Sequence, residues 1–342
     1  MINPKAKLSK KLFDKDVEQI PTRNGYGEGL VIAGETDERV VALCADLTDS
    51  TRTKYFKDKF PDRFVEIGVA EQLLATVASG MANYGKIPFI SSYAAFSPGR
   101  NWEQIRTTAA LNDVPVKIAG AHAGISVGPD GATHQQLEDI ALMRAMPNMI
   151  VVAPGDSIEA KKATIEAAKN GKPTYIRFAR EKTPVFTTED TPFKIGRAEV
   201  YWDSVTGSTS LPAERRVAII GCGPLVYEAL VAAQKLDKAK NKIGSIVINC
   251  HTVDPIDEKT IIDAVKKTDA VVTVEEHQIN GGFGSAVAEV LARNYPAPIE
   301  FVGMPNHFGE SGTPEELLEK WGMKSRHIVN AVRRVIKRKT NT

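Results

Sequence analysis

The chain has 342 residues, more than twice the ~150 residues of a typical single domain, so its length predicts two domains. Apolar residues make up 42% and charged residues 25%, values that exclude a disordered or fibrous chain. Its 44 Lys and Arg against 42 Asp and Glu leave a net charge of +2, which supplies no large basic field for binding nucleic acid or an acidic membrane.

The cysteines and the amino-terminal segment favour a cytoplasmic protein. Cys44, Cys222 and Cys250 lie far apart, without a C-x-x-C pair, as is typical of reduced, packed cysteines. The first residues, MINPKAKLSKKLF, carry charges but no apolar core, so they do not predict a signal peptide. No stretch approaches ~18 apolar residues without a charge, so we expect no membrane-spanning segment.

Short buried strands alternate with longer helical patterns in the first half of the chain. The predicted strands are residues 40–43, 88–91, 116–119 and 150–153. The predicted helices are residues 71–82, 102–111, 137–146 and 157–169. Apolar and polar residues in these helices recur with the spacing of a half-buried helix. Alternating strands and helices predict parallel βαβ units in a doubly wound sheet.

A second series of strands and helices follows. Its predicted strands are residues 217–220, 246–249, 270–274 and 299–302, with a helix whose apolar stripe contains Val226, Ala229, Leu230 and Ala233. Between the two series, residues 181–196 are rich in Thr, Pro and charge, which predicts an exposed connection. The sequence thus predicts an α/β protein of two doubly wound domains, residues 12–190 and 191–342.

The residues whose side chains could act in catalysis or ligand binding lie mainly in the first half of the chain. In open parallel sheets ligands bind at the carboxyl ends of the strands. Residues of this kind that follow predicted strands are Asp46, Ser50, Tyr93, Phe96, His122, Asp130 and His134. The second half has Gly-rich strand ends, GCGP and NGGFG, but few reactive side chains. We therefore expect the chemistry in the first domain and an architectural role for the second.

Two of these features have both a structural and a functional interpretation. Glu71 begins a predicted helix, where the helix dipole alone favours a carboxylate. It could also be a partly buried functional carboxyl group, because its sequence neighbours are apolar: Ile67, Val69, Leu73 and Leu74. Tyr93 and Phe96 flank two alanines at a strand end, so they could pack in the core or stack on a planar ligand.

The Gly-rich segment AHAGISVGPDGATHQQLEDIA carries His122, Asp130 and His134. The intervals between these residues match no standard zinc pattern, so we predict no metal site. Thr133 could cap a helix that begins near Gln135, which would make His134 a helix-start residue.

Two motifs in the second half carry little functional signal. GCGPLV resembles the start of a dinucleotide fingerprint but lacks the third glycine and the acidic ribose ligand, so a nicotinamide dehydrogenase is a minor alternative. Glu275, Glu276 and His277, followed by NGGFG, are better explained by a tight strand-to-helix turn than by a metal site.

Four motifs taken together resemble the carboxyl-terminal half of transketolase. They are ADLTDS at residues 45–50, EIGVAEQ at 66–72, SSYAAF at 91–96 and GISVGPDGATHQ at 124–135. The resemblance extends from PTR at 21–23 through the second domain. Two departures are EQ where EH is more familiar after the glutamate, and an extra residue in SPGR, which affects the neighbourhood of Arg100.

The resemblance implies half of a thiamine diphosphate enzyme, namely the pyrimidine-binding domain and the carboxyl-terminal domain. The domain that binds the diphosphate should carry GDG followed by an Asn-containing run, and GPDG at 128–131 lies in another context. The chain therefore resembles one subunit of a split transketolase of the pentose phosphate pathway. It would be active only with an amino-terminal partner that holds Mg²⁺ or Ca²⁺, as a dimer of heterodimers.

The resemblance also implies roles for individual residues. The residues implied to bind the cofactor are Asp46, Glu71, Tyr93 and Phe96. Those implied to bind the sugar phosphate are Arg23, Ser50, His122, Asp130, His134 and Arg180, and those implied to act in catalysis are Glu71, His134 and Asp130. Glu71 would share a proton with the pyrimidine ring, and an apolar surround would favour its protonated form.

Three alternatives to a transketolase half remain. One is the beta subunit of a 2-oxoacid dehydrogenase, which would not need a cationic clamp for a sugar phosphate. Another is half of a deoxyxylulose-phosphate synthase, which matches less well at GATHQ and ADLTDS. The third is a non-catalytic binding or scaffold protein that kept the fold.

Overall fold

The structure of the chain is a computed structural model that describes residues 1–207 and 211–340. Residues 341 and 342, which the predicted second domain includes, lie outside the described part. The strands are β1 (Gln19–Pro21), β2 (Val40–Cys44), β3 (Phe64–Glu66), β4 (Ile87–Tyr93), β5 (Lys117–Ala121), β6 (Ile150–Val152), β7 (Thr174–Arg177), β8 (Lys182–Pro184), β9 (Glu199–Asp203), β10 (Arg216–Gly221), β11 (Gly244–Asn249), β12 (Thr252–Asp254), β13 (Val271–Gln278) and β14 (Ile299–Met304). The α-helices are α1 (Thr22–Thr36), α2 (Lys54–Lys59), α3 (Glu71–Asn83), α4 (Trp102–Gln104), α5 (Asp139–Arg144), α6 (Ser157–Lys169), α7 (Val226–Lys238), α8 (Glu258–Thr268), α9 (Phe283–Asn294), α10 (Pro314–Lys320) and α11 (Ser325–Thr340).

The first half forms a seven-stranded sheet in the order β12-β6-β7-β5-β4-β2-β3. All neighbouring strands are parallel except β12, which runs antiparallel to β6. The central strands β2 and β5 are buried along their whole length, as parallel strands covered by helices on both faces require. The carboxyl ends of β2, β4, β5 and β7 therefore lie side by side along one edge.

The second half forms a five-stranded sheet in the order β14-β13-β10-β11-β9. Its strands are parallel except β9, which runs antiparallel to β11. The predicted α/β class with two doubly wound units is thus confirmed, and each predicted strand overlaps an observed one. Since β12 comes from the second half and joins the first sheet, the boundary between residues 190 and 191 stays a prediction.

Helix α1 lies against α6 and was not predicted, because its sequence TRNGYGEGLVIAGET contains four glycines, which are poor helix formers. Two of these glycines, Gly25 and Gly29, allow α1 and α6 to approach closely. A β-carbon on Gly25 would collide with the main-chain oxygen of Ser157, and one on Gly29 would lie 2.7 Å from the oxygen of Lys161. Packing against α6 thus outweighs the low intrinsic propensity of α1.

The exposed connection predicted at residues 181–196 is wrong for its first part, whereas Glu189, Asp190, Pro192 and Lys194 are exposed as predicted. Its first part forms β8, which pairs with β1, and Phe186 is fully buried. The backbone N–H groups of Phe186 and Thr187 donate to the Asp156 carboxylate at 2.9 and 2.6 Å. The buried carboxylate thus holds this polar segment against the first sheet.

Two predicted helices are shorter or less regular than expected. The helix predicted over residues 137–146 begins only at Asp139, with Glu138 as its N-cap, so Thr133 does not cap it. The helix predicted over residues 102–111 consists of the short α4 followed by the π-helical turn Ile105–Ala110.

The three cysteines are free and buried, as predicted. Glu275 accepts hydrogen bonds from the N–H groups of Phe283 and Gly284 at 2.6 and 2.7 Å, which confirms the predicted strand-to-helix turn. Its burial raises the pKa of this carboxyl group to about 8. Within residues 1–207 and 211–340, no helix is both long and apolar enough to cross a membrane.

Candidate active site

The predicted site residues lie in the segments that follow the strands at the carboxyl edge of the seven-stranded sheet. Ser50 follows β2, Glu71 follows β3, Tyr93 ends β4, His122 follows β5 and Arg180 follows β7. Since β3, β2, β4, β5 and β7 are consecutive neighbours in this sheet, their ends form one continuous row. Of the residues that the sequence places after strand ends, Ser50, Tyr93 and His122 are in contact here, as described below.

Glu71 is the first residue of α3 and its side chain is only 1% exposed. One carboxylate oxygen, Oε2, accepts from Arg100 Nη1 at 2.5 Å, and the other, Oε1, accepts from Ser92 Oγ at 3.3 Å. Its backbone oxygen accepts from Asn101 Nδ2 at 2.9 Å. The buried carboxyl group of the functional interpretation is present.

The apolar surround expected for Glu71 is wrong. Leu74 is buried, but Val69 and Leu73 are 70% and 52% exposed. The contacts to the carboxylate are polar, and the strongest is the ion pair with Arg100, a residue that the sequence analysis did not select. Pairing with a cation offsets the desolvation of a buried carboxylate in a way that apolar neighbours cannot.

Tyr93 and Phe96 are half-buried and form an aromatic wall with two histidines. Their ring centroids lie 6.2 Å apart with nearly parallel planes. The ring of His122 stacks on Tyr93 at 4.0 Å, and the edge of His134 meets Phe96 at 5.4 Å. The Arg100 guanidinium carbon lies 4.8 Å from the centre of the Phe96 ring. Neither aromatic ring is fully buried in the core; His122 stacks on Tyr93, and Arg100 lies over Phe96.

Arg23, Ser50 and His122 are in direct contact. Arg23 Nη1 donates to the backbone oxygen of Ser50 at 2.8 Å and to Nε2 of His122 at 3.0 Å. The Tyr93 hydroxyl donates to Ser50 Oγ at 3.0 Å, which ties the aromatic wall to this group. Within the described residues, Nε of Arg23 and Nδ1 of His122 are buried without a hydrogen-bond partner.

Burial, followed by the nearby charges of Arg23 and Arg180, lowers the pKa of His122 from 6.5 to about 3. Burial also lowers the pKa of Arg23, with contributions from Arg52 and Arg180. His122 is therefore neutral at physiological pH. The positive charge of this region is carried by the arginines, and His122 contributes hydrogen bonds.

Arg52 is a member of this cationic group that the sequence analysis missed. It adopts a left-handed backbone conformation with φ of 65° in the segment after β2. Its Nε donates to Asn24 Oδ1 and its Nη1 to the backbone oxygen of Asp49, both at 3.0 Å. Because it follows the same strand as Ser50, the strand-end rule could have identified it.

Arg180 and Asp130 form an ion pair, with Nη1 of Arg180 3.0 Å from Oδ1 of Asp130. The same nitrogen donates to the backbone oxygen of Val127 at 3.1 Å. The two residues are about one-third exposed, so the pair lies at the solvent side of the site. Asp130 thus partly neutralises Arg180 in this structure.

Asp46 is less closely connected to the site than expected. Its backbone N–H donates to Glu66 Oε1 at 2.8 Å, but its carboxylate makes no hydrogen bond or ion pair within the described residues. Glu66 also accepts from Thr48 Oγ1 and from the N–H of Gly68, both at 3.0 Å. It therefore fixes the segments on either side of it, a supporting role that the sequence analysis missed.

His134 lies at the end of the aromatic wall, where its Nδ1 is 2.9 Å from the hydroxyl of Thr133. In the part of the chain that the structure describes, no group of three or more His, Cys, Asp or Glu residues could hold a metal ion.

The chain thus combines an α/β domain that carries a strand-end site with a second α/β domain. Residues 18–185 match the transketolase pyrimidine-binding domain family, and residues 209–328 match the transketolase C-terminal domain family. The chain therefore belongs to the transketolase family, and it corresponds to the carboxyl-terminal half.

Similar proteins include chains of the same length. The transketolase C-terminal section of Methanocaldococcus jannaschii is 41% identical and covers 92% of this chain and 96% of its own length. A 6-deoxy-6-sulfo-D-fructose transketolase subunit of Clostridium sp. is 37% identical, covering 96% and 98%. A solved structure described as a split-gene transketolase in an inactive beta4 tetramer is 41% identical, with a TM-score of 0.84, and covers 94% of this chain and 99% of that one.

Proposed function

We propose that this chain is the carboxyl-terminal subunit of a split transketolase, which transfers a two-carbon ketol unit from a ketose phosphate to an aldose phosphate. The observation that carries the proposal is the row of contacts at one sheet edge. There Arg100 joins a buried carboxylate, Glu71, to the ring of Phe96. Phe96 is linked through Tyr93 to His122 and the arginines around it. The similar C-terminal section of Methanocaldococcus jannaschii and the similar split-gene structure, both nearly as long as their match to this chain, support a transketolase divided into two subunits.

The residues of the site fit the pyrimidine half of thiamine diphosphate. Glu71 Oε2 is held by Arg100, a side chain 47% exposed and therefore replaceable, and the Ser92 contact to Oε1 is long at 3.3 Å. Glu71 would accept a hydrogen bond from the ring, Tyr93 and Phe96 would stack on it, and Asp46 would lie at the cofactor's edge. When bound, the cofactor supplies the nucleophilic carbon and the electron sink for carbon–carbon cleavage.

The arginine group fits the anionic end of the sugar. Arginines bind phosphate oxygens through paired N–H donors, and buried donors without partners gain most from such a ligand. We assign the phosphate to Arg23, Ser50, His122 and Arg180. The sugar hydroxyls are assigned to His134 and Asp130. The sulfonated sugar in the name of the Clostridium relative is likewise anionic.

The remaining parts of the proposal concern the assembly. The diphosphate and its Mg²⁺ or Ca²⁺ would be held by an amino-terminal partner subunit, since this chain lacks the corresponding motif. Two such pairs would form a heterotetramer in the cytoplasm, consistent with three buried free thiols, and would act in the pentose phosphate pathway. The 2-oxoacid dehydrogenase alternative is not favoured, because its substrates need no clamp of arginines.

Reconstitution tests the proposal. The purified chain, a candidate amino-terminal partner bearing the GDG motif, and their mixture are each assayed with a ketose phosphate and an aldose phosphate. We expect ketol transfer by the mixture alone. Calorimetry with thiamine diphosphate and Mg²⁺ should show poor binding by the isolated chain and tight binding by the mixture. Tight binding by the chain alone, or a stable complex without ketol transfer, would refute the proposed function.

A further inference from the structure

One guanidinium contacts both groups that the proposed function assigns to the pyrimidine ring. Arg100 Nη1 lies 2.5 Å from Oε2 of Glu71, and the Arg100 guanidinium carbon lies 4.8 Å from the centre of the Phe96 ring. The carboxylate is the in-plane partner that the pyrimidine needs, and the ring face is its stacking surface. Arg100 therefore engages both recognition elements at once.

The chemistry of a guanidinium explains this double contact. It is planar and delocalised, carries N–H donors in its plane and stacks on aromatic faces. An aminopyrimidine ring has the same combination of a flat face and in-plane hydrogen-bonding groups. Two planar groups cannot occupy the same volume above Phe96 while bonding to the same carboxylate, so Arg100 and the ring compete.

The surroundings leave the Arg100 side chain movable and the carboxylate fixed. Arg100 is 47% exposed, whereas Glu71 is 1% exposed. The neighbouring Asn101 is buried, and its Nδ2 donates to the backbone oxygen of Glu71 at 2.9 Å and to Ser97 Oγ at 3.2 Å. The backbone on both sides of Arg100 is therefore anchored, and the side chain can swing into solvent without moving the site.

We propose that Arg100 is a gate residue of the pyrimidine site: its guanidinium occupies the place of the ring in the free chain and leaves Glu71 and Phe96 when the ring binds. The identity of the ring rests on the proposed function. In the free chain Arg100 compensates the charge of a carboxylate that would otherwise be buried without a cation. When the pyrimidine ring binds, it replaces Arg100 as the hydrogen-bond partner of Glu71.

The test measures binding of the pyrimidine half of thiamine, 4-amino-5-hydroxymethyl-2-methylpyrimidine, to the full chain by NMR titration. Arg100→Ala removes the competitor and should tighten binding about tenfold, the effect expected for losing one hydrogen bond to a charged group. Arg100→Gln, which removes the charge but keeps a shorter planar side chain with N–H donors, should tighten binding less. Arg106→Ala removes an exposed arginine from the adjoining π-helical turn and should leave binding unchanged.

Salt dependence separates competition from a general structural effect. Raising the salt concentration screens the partly exposed ion pair, so binding of the pyrimidine by the unmodified chain should strengthen. Pyrimidine binding by Arg100→Ala should not strengthen as the salt concentration rises. In the double variant Arg100→Ala/Glu71→Gln, the tenfold gain in affinity should be lost. Thermal unfolding of each variant checks that the chain remains folded.

Equal or weaker binding by Arg100→Ala, including no detectable binding by either protein, would overturn the gate. Weaker binding would instead make Arg100 a residue that holds the ring. The proposed function is judged separately by ketol transfer in the reconstituted complex. Transfer without the gain in affinity would refute only the gate, and the gain without transfer would refute only the reaction.

Discussion

Replacing Arg180 with alanine should weaken recognition of the sugar's phosphate group. Arg180 reaches the site with Nη1 3.0 Å from Asp130 and 3.1 Å from the backbone oxygen of Val127, and its side chain is 28% exposed. A hydrogen bond to a charged group is worth about 1.5–3 kcal/mol. Solvent screening at this exposure and the existing Asp130 pair reduce that to about 1–2 kcal/mol. Since about 1.4 kcal/mol corresponds to a tenfold change, this loss of binding free energy should raise KM five- to thirtyfold.

The assay compares a phosphorylated ketose with its unphosphorylated counterpart in the reconstituted complex. KM for the phosphorylated donor should rise while kcat changes little, because an interaction present equally in ground and transition states affects KM alone. Arg293→Ala is the matched control, since Arg293 also forms a solvent-exposed ion pair, 3.0 Å from Glu258, in the second half of the chain. It should leave both constants unchanged.

Three results would contradict this reasoning about Arg180. An equal rise in KM for the unphosphorylated ketose would mean that the arginine does not recognise phosphate. A fall in kcat at constant KM would mean that Arg180 acts in the chemical step rather than in binding the phosphate. A change in cofactor affinity comparable to the change in KM would indicate a general disturbance of the strand-end segments.

Three further predictions concern the carboxylates. Glu71→Ala in the reconstituted complex should lower turnover by roughly 10²- to 10⁴-fold, the range for a lost proton-transfer group, with an unchanged circular dichroism spectrum; near-normal turnover would contradict its role. Arg177→Met should lower the free energy of unfolding in urea by about 3–5 kcal/mol, because it leaves the fully buried Asp139 without its ion pair; a loss under about 1 kcal/mol would contradict this. Burial, followed by the charge of Asp156, raises the pKa of Glu159 from 4.5 to about 8, so the stability that this proton contributes is present below pH 4.5 and is lost as pH rises through 8. Glu159→Gln should therefore make the free energy of unfolding decline less steeply between pH 5 and 8. The difference in slope between the two proteins should be at most about 1.4 kcal/mol per pH unit. Parallel curves of unfolding free energy against pH would contradict this prediction.

Elements whose residue pattern is clear within a short stretch of sequence could be predicted. Elements that depend on contacts with residues distant in the chain could not. The helix predicted over residues 157–169 has the observed bounds, because its periodicity begins directly after Asp156, whose carboxylate caps the N–H of Glu159 at 3.0 Å. The segment around Phe186 looked like a linker because its composition is polar. Three hydrogen bonds to Asp156, some thirty residues earlier, and the packing of Phe186 against Tyr201 hold the segment in place. No local pattern indicates these contacts.

The same distinction applies to the candidate site. The strand-end rule identified Ser50, Tyr93 and His122, because parallel strands bring their carboxyl ends to one edge whatever the details of packing. Arg100 was not selected, since its partner Glu71 lies 29 residues away and the contact depends on how the segment after β4 folds back over α3. The apolar sequence neighbours of Glu71 likewise gave no indication that its three-dimensional neighbours are polar.

The second half of the chain positions one segment of the candidate site, a role of the architectural kind expected for it. Glu276, on β13, accepts a hydrogen bond from the N–H of Ser126 at 2.7 Å, in the segment that leads to Asp130. Arg177, at the end of β7, donates to the backbone oxygen of Glu276 at 2.8 Å and pairs with Asp139. All four charged or polar partners are buried, so breaking one leaves others unsatisfied. The segment that carries Asp130 is therefore held from the second sheet, and changes at Glu276 should alter substrate recognition although that residue lies outside the clamp.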